Sequence, residues 1–226
     1  MDGLILVDKE TGWSSFDVVA KIRGVLRAHT GVKKIKVGHT GTLDPLATGL
    51  MIVVVGSYCK RAEEFSKLDK TYEVTMKLGY TSSTGDEEGE KTAVDSRTVT
   101  EAEIHRAFEA FRGDIQQIPP AFSAIKVNGQ RAYARARAGE TFELQPRSVT
   151  IHTLNFVEYA YPFVRFTVDV SSGTYIRSLV QDIGSSLGTG AYMSNLRRTS
   201  VGQFGIEQAH TIEEIEQDVE GAIDKH

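Results

Sequence analysis

The 226-residue chain holds 40% hydrophobic and 25% charged residues, the proportions of an ordinary folded domain, and one cysteine, Cys59, which excludes a disulfide framework and a multi-cysteine zinc site. Its net charge of −4 hides a gradient: residues 207–226 carry seven acids and one base, and without them 25 basic residues stand against 23 acidic ones, so the overall charge excludes no nucleic-acid partner. The longest apolar run, Leu50–Val55, is far short of the roughly 20 residues of a membrane span, and Met1-Asp2-Gly3 lacks the basic flank of a secretory leader; a cytoplasmic protein without a membrane partner is expected.

Leu4–Val7 reads as a buried strand. Ser14 or Ser15 offers an N-cap for a helix with Val18, Val19, Ile22, Val25 and Leu26 on one face. A basic stretch, Lys33-Lys34-Ile35-Lys36, leads to a glycine-rich loop from Gly38 to Gly49, which the strand Leu50–Val55 leaves. From Thr71 to Leu78, Tyr72, Val74, Met76 and Leu78 alternate with polar residues, the period of a strand with one solvated face. Residues 81–92, with Asp86-Glu87-Glu88, read as a solvated acidic loop. Thr100 and Glu103 form a capping box for a helix that buries Ile104, Ala107, Phe108 and Phe111.

Pro119-Pro120 enforces extended chain, Asn128-Gly129 signals a hairpin turn, and residues 126–147, with five bases and two acids, form a basic arm. Strands over 148–158 and 163–171, a helix over 174–187 ending at Gly188, a strand over 195–204 and a short helix opened by Thr211 and Glu214 complete the chain. The order predicts one α+β domain: a single mixed, mainly antiparallel sheet with flanking helices and a thumb-like arm.

Two segments carry chemistry. Gly38-His39-Thr40-Gly41-Thr42-Leu43-Asp44-Pro45-Leu46-Ala47-Thr48-Gly49 combines glycines, hydroxyls, one His and one Asp between apolar strands. It lacks the Gly-Lys-Ser/Thr ending of a phosphate-binding P-loop. Asp44 is either a turn former or a carboxylate presented on a rigid loop, its backbone fixed by Pro45. His39 has no companion at metal-ligand spacing, so no metal is expected. The second segment, Ser171-Ser172-Gly173-Thr174-Tyr175-Ile176-Arg177, stands at a strand-to-helix junction. An arginine in a first helical turn opposes the helix dipole, so Arg177 is either a surface residue or the partner of a specific anion, such as a buried carboxylate. Tyr72, taken alone, reads as strand packing. Arg197-Arg198 and the arm, which includes Tyr133, are either solvated faces or tracks for a phosphate backbone.

Taken together these segments resemble the TruB-type tRNA pseudouridine synthases. The likeness rests on the loop 38–49, on Asp8-Lys9-Glu10-Thr11-Gly12-Trp13-Ser14-Ser15 (with Glu10 where the family usually has proline), on Lys70-Thr71-Tyr72, on Pro119–Gly129, Ala132-Tyr133 and Ala136-Arg137-Ala138-Gly139, on Gly173–Arg177 and on Leu196-Arg197-Arg198, all in the family's order. The resemblance implies conversion of a uridine in the tRNA T loop, position 55, to pseudouridine, without a cofactor or metal. It implies Asp44 as the essential carboxylate, Arg177 as its partner, and Tyr72 stacked on the base and placed to help remove the C5 proton. Leu196 would pack on the base's other side, and His39 would fill the space that the flipped base vacates. Tyr175, Lys126, Arg135 and Arg137 would also contact the RNA. The expected division is a catalytic domain over 1–210, with its arm at about 119–147, and an acidic tail over 211–226. The short form would lack the C-terminal PUA-like domain common in the family, and is expected to act as a monomer. A tRNA-folding chaperone is the alternative reading; an Asp-nucleophile phosphohydrolase is disfavoured because no acids accompany Asp44 at metal-ligand spacing.

Overall fold

The computed structural model describes residues 1–95, 97–123, 125–127 and 129–224. Ala124, Asn128 and the side chains of Lys126 and Val127, four positions of the arm motif, lie outside the described ones. In chain order the elements are β1 (Gly3–Lys9), α1 (Ser15–Thr30), β2 (Val37–His39), β3 (Thr48–Val55), α2 (Ala62–Ser66), β4 (Lys70–Leu78), β5 (Tyr80–Ser82), β6 (Lys91–Ala93), α3 (Glu101–Ala110), β7 (Gly113–Gln117), β8 (Lys126–Val127), β9 (Gln130–Arg131), α4 (Ala132–Arg137), β10 (Arg147–Ala160), β11 (Phe163–Val170), α5 (Ile176–Ser186), β12 (Ala191–Val201), β13 (Phe204–Gly205) and α6 (Ile212–Gln217). The mixed α+β class expected from the element order is the one found. Two compact units are present: Met1–Glu73 with Leu196–His226, and Val74–Asn195.

In the first unit β3 runs antiparallel to β1, from Gly3 opposite Val55 to Lys9 opposite Gly49, and antiparallel to β2. Its other neighbour is the end of β12, which pairs with it in parallel. Both edges of β3 are thus paired, and both of its faces are packed, which explains why Leu50–Val55 is an unbroken apolar run rather than an alternating one. Met51, Val53 and Val55 pack with Ile5 and Val7 against α1 and α6. Leu50, Ile52 and Val54 pack with Leu4, Leu6, Phe65 and Phe204 on the opposite side.

Ser14, not Ser15, caps α1, sharing a capping box with Asp17, and Gly31 ends the helix in the left-handed region at φ 72°. The acidic C-terminal segment is more than a solvated tail: Ile212, Ile215, Val219 and Ala222 join the α1 core, and the backbone of Asp224 exchanges two hydrogen bonds with Leu4.

The second unit orders its strands β12, β4, β11, β10, β7, with only Ala191–Asn195 and Val74–Leu78 of the first two belonging to it. β10 is antiparallel to both β11 and β7. Helix α3 seats Phe108 edge-on against Phe166 of β11, ring centroids 5.2 Å apart. Phe111, expected on that buried face, is only half-buried because it lies past the helix as its C-cap. In the arm, β8 and β9 form a two-stranded ribbon followed by α4.

Two boundaries and one burial differ from the sequence expectation. The glycine-rich loop is shorter than 38–49, because Gly38 and His39 are already paired in β2 and Thr48 and Gly49 in β3. The strand expected from Asn195 begins at Ala191, directly after the left-handed Gly188 and Gly190. Within 81–92, Asp86 is buried rather than solvated, at 3% exposure, and bridges to Met193.

Gly49 is fixed by two constraints at once. Its φ of +102° disfavours any side chain, and a Cβ there would lie 2.2 Å from the Arg198 carbonyl oxygen and 2.7 Å from its nitrogen. Gly49→Ala should cost at least about 2–3 kcal/mol of stability, read as a fall in the urea midpoint with an unchanged m-value; an unchanged midpoint would show that the β3–β12 pairing is not this close.

Candidate active site

Asp44 sits half-buried at the centre of the segment 40–47 that joins β2 to β3. That segment is irregular yet its backbone is tied down along its length. Thr40 donates its N–H to the Ile52 carbonyl at 3.1 Å. The buried Ser15 hydroxyl accepts from the Leu43 N–H at 2.8 Å and donates to the Leu43 carbonyl at 3.0 Å. Gly12 N–H reaches the Pro45 carbonyl at 2.8 Å and Thr11 Oγ1 the Leu46 carbonyl at 3.3 Å. Ala47 closes a turn onto the Asp44 carbonyl at 3.0 Å. The motif 8–15 and the loop 40–47, read as separate pieces of sequence, are one structural object.

Three buried cations surround this loop. Lys9, fully buried, donates from Nζ to the carbonyls of Glu10 (2.9 Å), Trp13 (2.8 Å) and Pro45 (3.3 Å). Lys70, at the start of β4, donates to the Ser66 carbonyl at 2.8 Å and to that of Leu68. Arg198 donates from Nε to the Leu50 carbonyl at 2.7 Å and from Nη2 to the Gly41 carbonyl at 3.2 Å, bracketing the loop from both ends. Both lysines are lowered to about 8, chiefly by burial and in smaller part by the charge of Arg198, with the nearby Asp44 carboxylate opposing the shift at Lys9 and Asp69 opposing it at Lys70. Nothing in the local sequence signals this burial, since Lys9 and Lys70 look like strand-end surface lysines.

The other first-unit candidates hang from neighbouring strands. Arg197 and Arg198 of β12 stand opposite Thr48 and Gly49 of β3, which places Leu196 beside the exit of the loop. The side chains of Thr199 and Ser200 bond to Thr71, which fixes Tyr72 on the next strand. Leu196 and Tyr72 are 6% and 7% exposed, so both are buried. Arg197 makes a bidentate pair with Asp8, at 2.7 and 3.1 Å, and so braces the motif 8–15 rather than extending freely into solvent. His39 keeps a buried Nδ1 without a hydrogen-bond partner among the described residues; burial, then the charge of Arg198, lowers its pKa and leaves it neutral at neutral pH.

The second unit holds the remaining candidates. Arg177 opens α5, 6% exposed, with Nη1 on the Thr84 carbonyl (3.0 Å), Nη2 on the Phe122 carbonyl (2.8 Å) and Nη1 3.4 Å from the Asp86 carboxylate. It is a buried, multiply anchored guanidinium and not a surface arginine. Glu87, Glu88 and Glu90 make Asp86 resemble part of a solvated acidic run, yet its carboxylate accepts from Thr84 Oγ1 and from the Glu88 N–H. Tyr175 is locked by Gln117, whose side-chain amide bonds both its N–H (2.7 Å) and its carbonyl (3.1 Å). On the arm, Arg135 is engaged locally, by Glu140 at 2.7 Å and over the Phe142 ring, whereas Arg137 is exposed beside the Tyr133 ring. No cluster of three or more His, Cys, Asp or Glu residues suited to a metal occurs among the described residues, nor is any helix there long and apolar enough to cross a membrane.

Residues 27–176 match the TruB family pseudouridylate synthase (N terminal domain), and residues 177–225 match the tRNA pseudouridylate synthase B C-terminal domain. The chain belongs to the TruB family. Among its relatives is the tRNA pseudouridine synthase B of Thermobifida fusca (strain YX), 44% identical over an alignment 225 positions long that covers 95% of this chain and 74% of the relative. Another is the enzyme of the same name from Pseudomonas putida (strain F1), 46% identical over 217 residues, 96% of this chain and 69% of the relative. Solved structures with a similar fold include a Cbf5-Nop10-Gar1 complex, with a TM-score of 0.74 and 30% identity across 98% of this chain. An H/ACA RNP bound to a substrate RNA containing 2′-deoxyuridine gives a TM-score of 0.71 and 28% identity across 99%. The chain spans 57% and 56% of the matched chains in these two structures.

The lysine burial has a pH signature. With folded-state pKa values near 8 against a reference of 10.5, the unfolded chain binds more protons between those values, so stability rises with pH across that window and the burial penalty is fully present below it. Wild type should therefore gain stability relative to Lys70→Met as pH rises from about 8 to 10.5, measured by denaturant midpoints; parallel curves would show that Lys70 is charged throughout.

Proposed function

We propose that this chain isomerises a uridine in the T loop of tRNA, at position 55, to pseudouridine. The observation that carries the reading is Asp44, a carboxylate on a loop whose backbone is stapled on both sides of it, in a chain of the TruB family. The N1–C1′ bond of the nucleotide breaks, the uracil turns while held, and a C5–C1′ bond forms; N1 gains a proton and C5 loses one, so no oxidant, water or cofactor is consumed. Every route through these steps needs a carboxylate that is ionised and fixed before the substrate arrives.

In this reading Asp44 reacts, and Arg177, already desolvated and oriented by Asp86, Thr84 and Phe122, supplies the cationic environment that keeps a carboxylate charged. Tyr72 and Leu196 hold the two faces of the base, and Tyr72 stands ready to assist proton loss from C5. A target base stacked in folded RNA must first be flipped out, at roughly a few kcal/mol. The neutral imidazole of His39 fills the vacated space without the cost of burying a charge. Tyr175, Lys126, Arg135 and Arg137 complete the RNA contacts, with recognition resting on phosphates and splayed bases rather than on groove reading. One chain acting alone in the cytoplasm is sufficient for this chemistry.

Asp44→Asn keeps the shape of the side chain and removes its charge. It should abolish pseudouridine formation on an unmodified tRNA transcript, at least 10³-fold by loss of the reacting group, while tRNA affinity stays within about threefold. Full turnover by this variant would sink the assignment. For the arm, Arg137→Ala should reduce the slope of log affinity against log salt by about one, and Arg135→Ala by less, since Glu140 already neutralises it; unchanged slopes would remove the arm from the interface.

A further inference from the structure

Ser14 and Ser15 are neighbours with separate tasks. Ser14 is half-buried and caps α1. Ser15, 3% exposed, turns inward from the first turn of the same helix and places its hydroxyl against Leu43. That single oxygen accepts from the Leu43 N–H at 2.8 Å and donates to the Leu43 carbonyl at 3.0 Å. The carbonyl belongs to the peptide plane that leads directly into Asp44. On the far side, the Pro45 carbonyl is held by Gly12 N–H at 2.8 Å. Asp44 thus projects from a stretch pinned one residue before it and one residue after it.

We propose that Ser15 is a positioning residue for the reaction, fixing the direction in which Asp44 presents its carboxylate; this rests on the reading of Asp44 as the reacting group. A hydroxyl is suited to the task because it donates and accepts through one atom. The helix that carries it is itself immobilised, with Val18, Val19 and Ile22 in the core. Without the hydroxyl, a buried N–H and a buried C=O lose their partner together, and the loop must rotate to find others. The Asp44 peptide would rotate with it. Small displacements of a reacting group are expensive, on the order of a hundredfold for 1 Å. The tRNA contacts lie on other side chains and would survive the change.

The experiment compares wild type, Ser15→Ala, Ser15→Thr and Asp44→Asn on an unmodified tRNA transcript under single-turnover conditions, with tRNA affinity and thermal melting measured on each protein. Ser15→Ala should slow the chemical step about 10- to 100-fold with affinity within about twofold, and Ser15→Thr, which keeps the hydroxyl, should return to within about threefold of wild type. Ser15→Cys, a weaker donor of similar shape, should fall between alanine and serine and serves if the threonine methyl disturbs the core. Ser15→Ala at the wild-type rate with a lowered melting temperature would make the residue purely structural and overturn the proposal. So would a loss confined to affinity, or both hydroxyl-bearing and thiol variants reacting as slowly as alanine. Turnover by Asp44→Asn would instead overturn the reading of the site, whatever Ser15 does.

Discussion

An irregular loop that carries a charged group into a protein's interior must find partners for its own backbone first. Every peptide of the segment 40–47 that turns away from water needs a donor or an acceptor, and the cost of leaving one unpaired is comparable to what a whole hydrogen bond contributes. Here the partners include the Ser15 hydroxyl, the backbone, Thr11 hydroxyl and Lys9 ammonium of the preceding motif, the Ile52 carbonyl of β3, and the guanidinium of Arg198. Much of the first unit follows from that need. Gly49 lacks a side chain so that β12 can lie close enough for Arg198 to reach under the loop, and Arg197 pairs with Asp8 to hold the motif that does the stapling.

The buried lysines extend the same logic. Carbonyl oxygens can solvate an ammonium ion, but incompletely, which is why both groups lose their protons more readily than in water. A loop rich in inward-facing carbonyls is a negative environment, and cations lodged among them offset it before the carboxylate adds its own charge. Positive charge near Asp44 is thus part of the fold, present before any nucleic acid arrives.

Much of this was legible in the sequence. The strand β3, the capping boxes at Thr100 and Thr211 and the alternation through β4 rest on periodicity and local hydrogen bonding, which short windows of sequence encode. Asp44, Tyr72 and Arg177 stood out through their motifs. What remained hidden was long-range. Ser14 and Ser15 are identical in type, and only the path of a loop 28 residues later decides which one turns inward. Asp86 is one acid among several, and its burial depends on Arg177, far along the chain. Lys9 and Lys70 bond mainly to carbonyls within four residues of themselves, Pro45 being the distant exception, and it is the packing of the loop and Arg198 against them that sequence alone does not show.

The pairing of Leu4 with Asp224 bears on how the chain is made as well as how it is held. The second unit is one uninterrupted stretch, 74–195, whereas the first is assembled from both ends. During synthesis, at about 5–20 residues per second, all of the second unit has been translated before Leu196 is added. The strand β1 and the helix α1, though translated first, wait for 196–224 to supply β12's end and α6. The loop bearing Asp44 therefore acquires its Arg198 bracket late, so a nascent chain would hold Asp44 in loosely defined geometry until translation of these residues was complete.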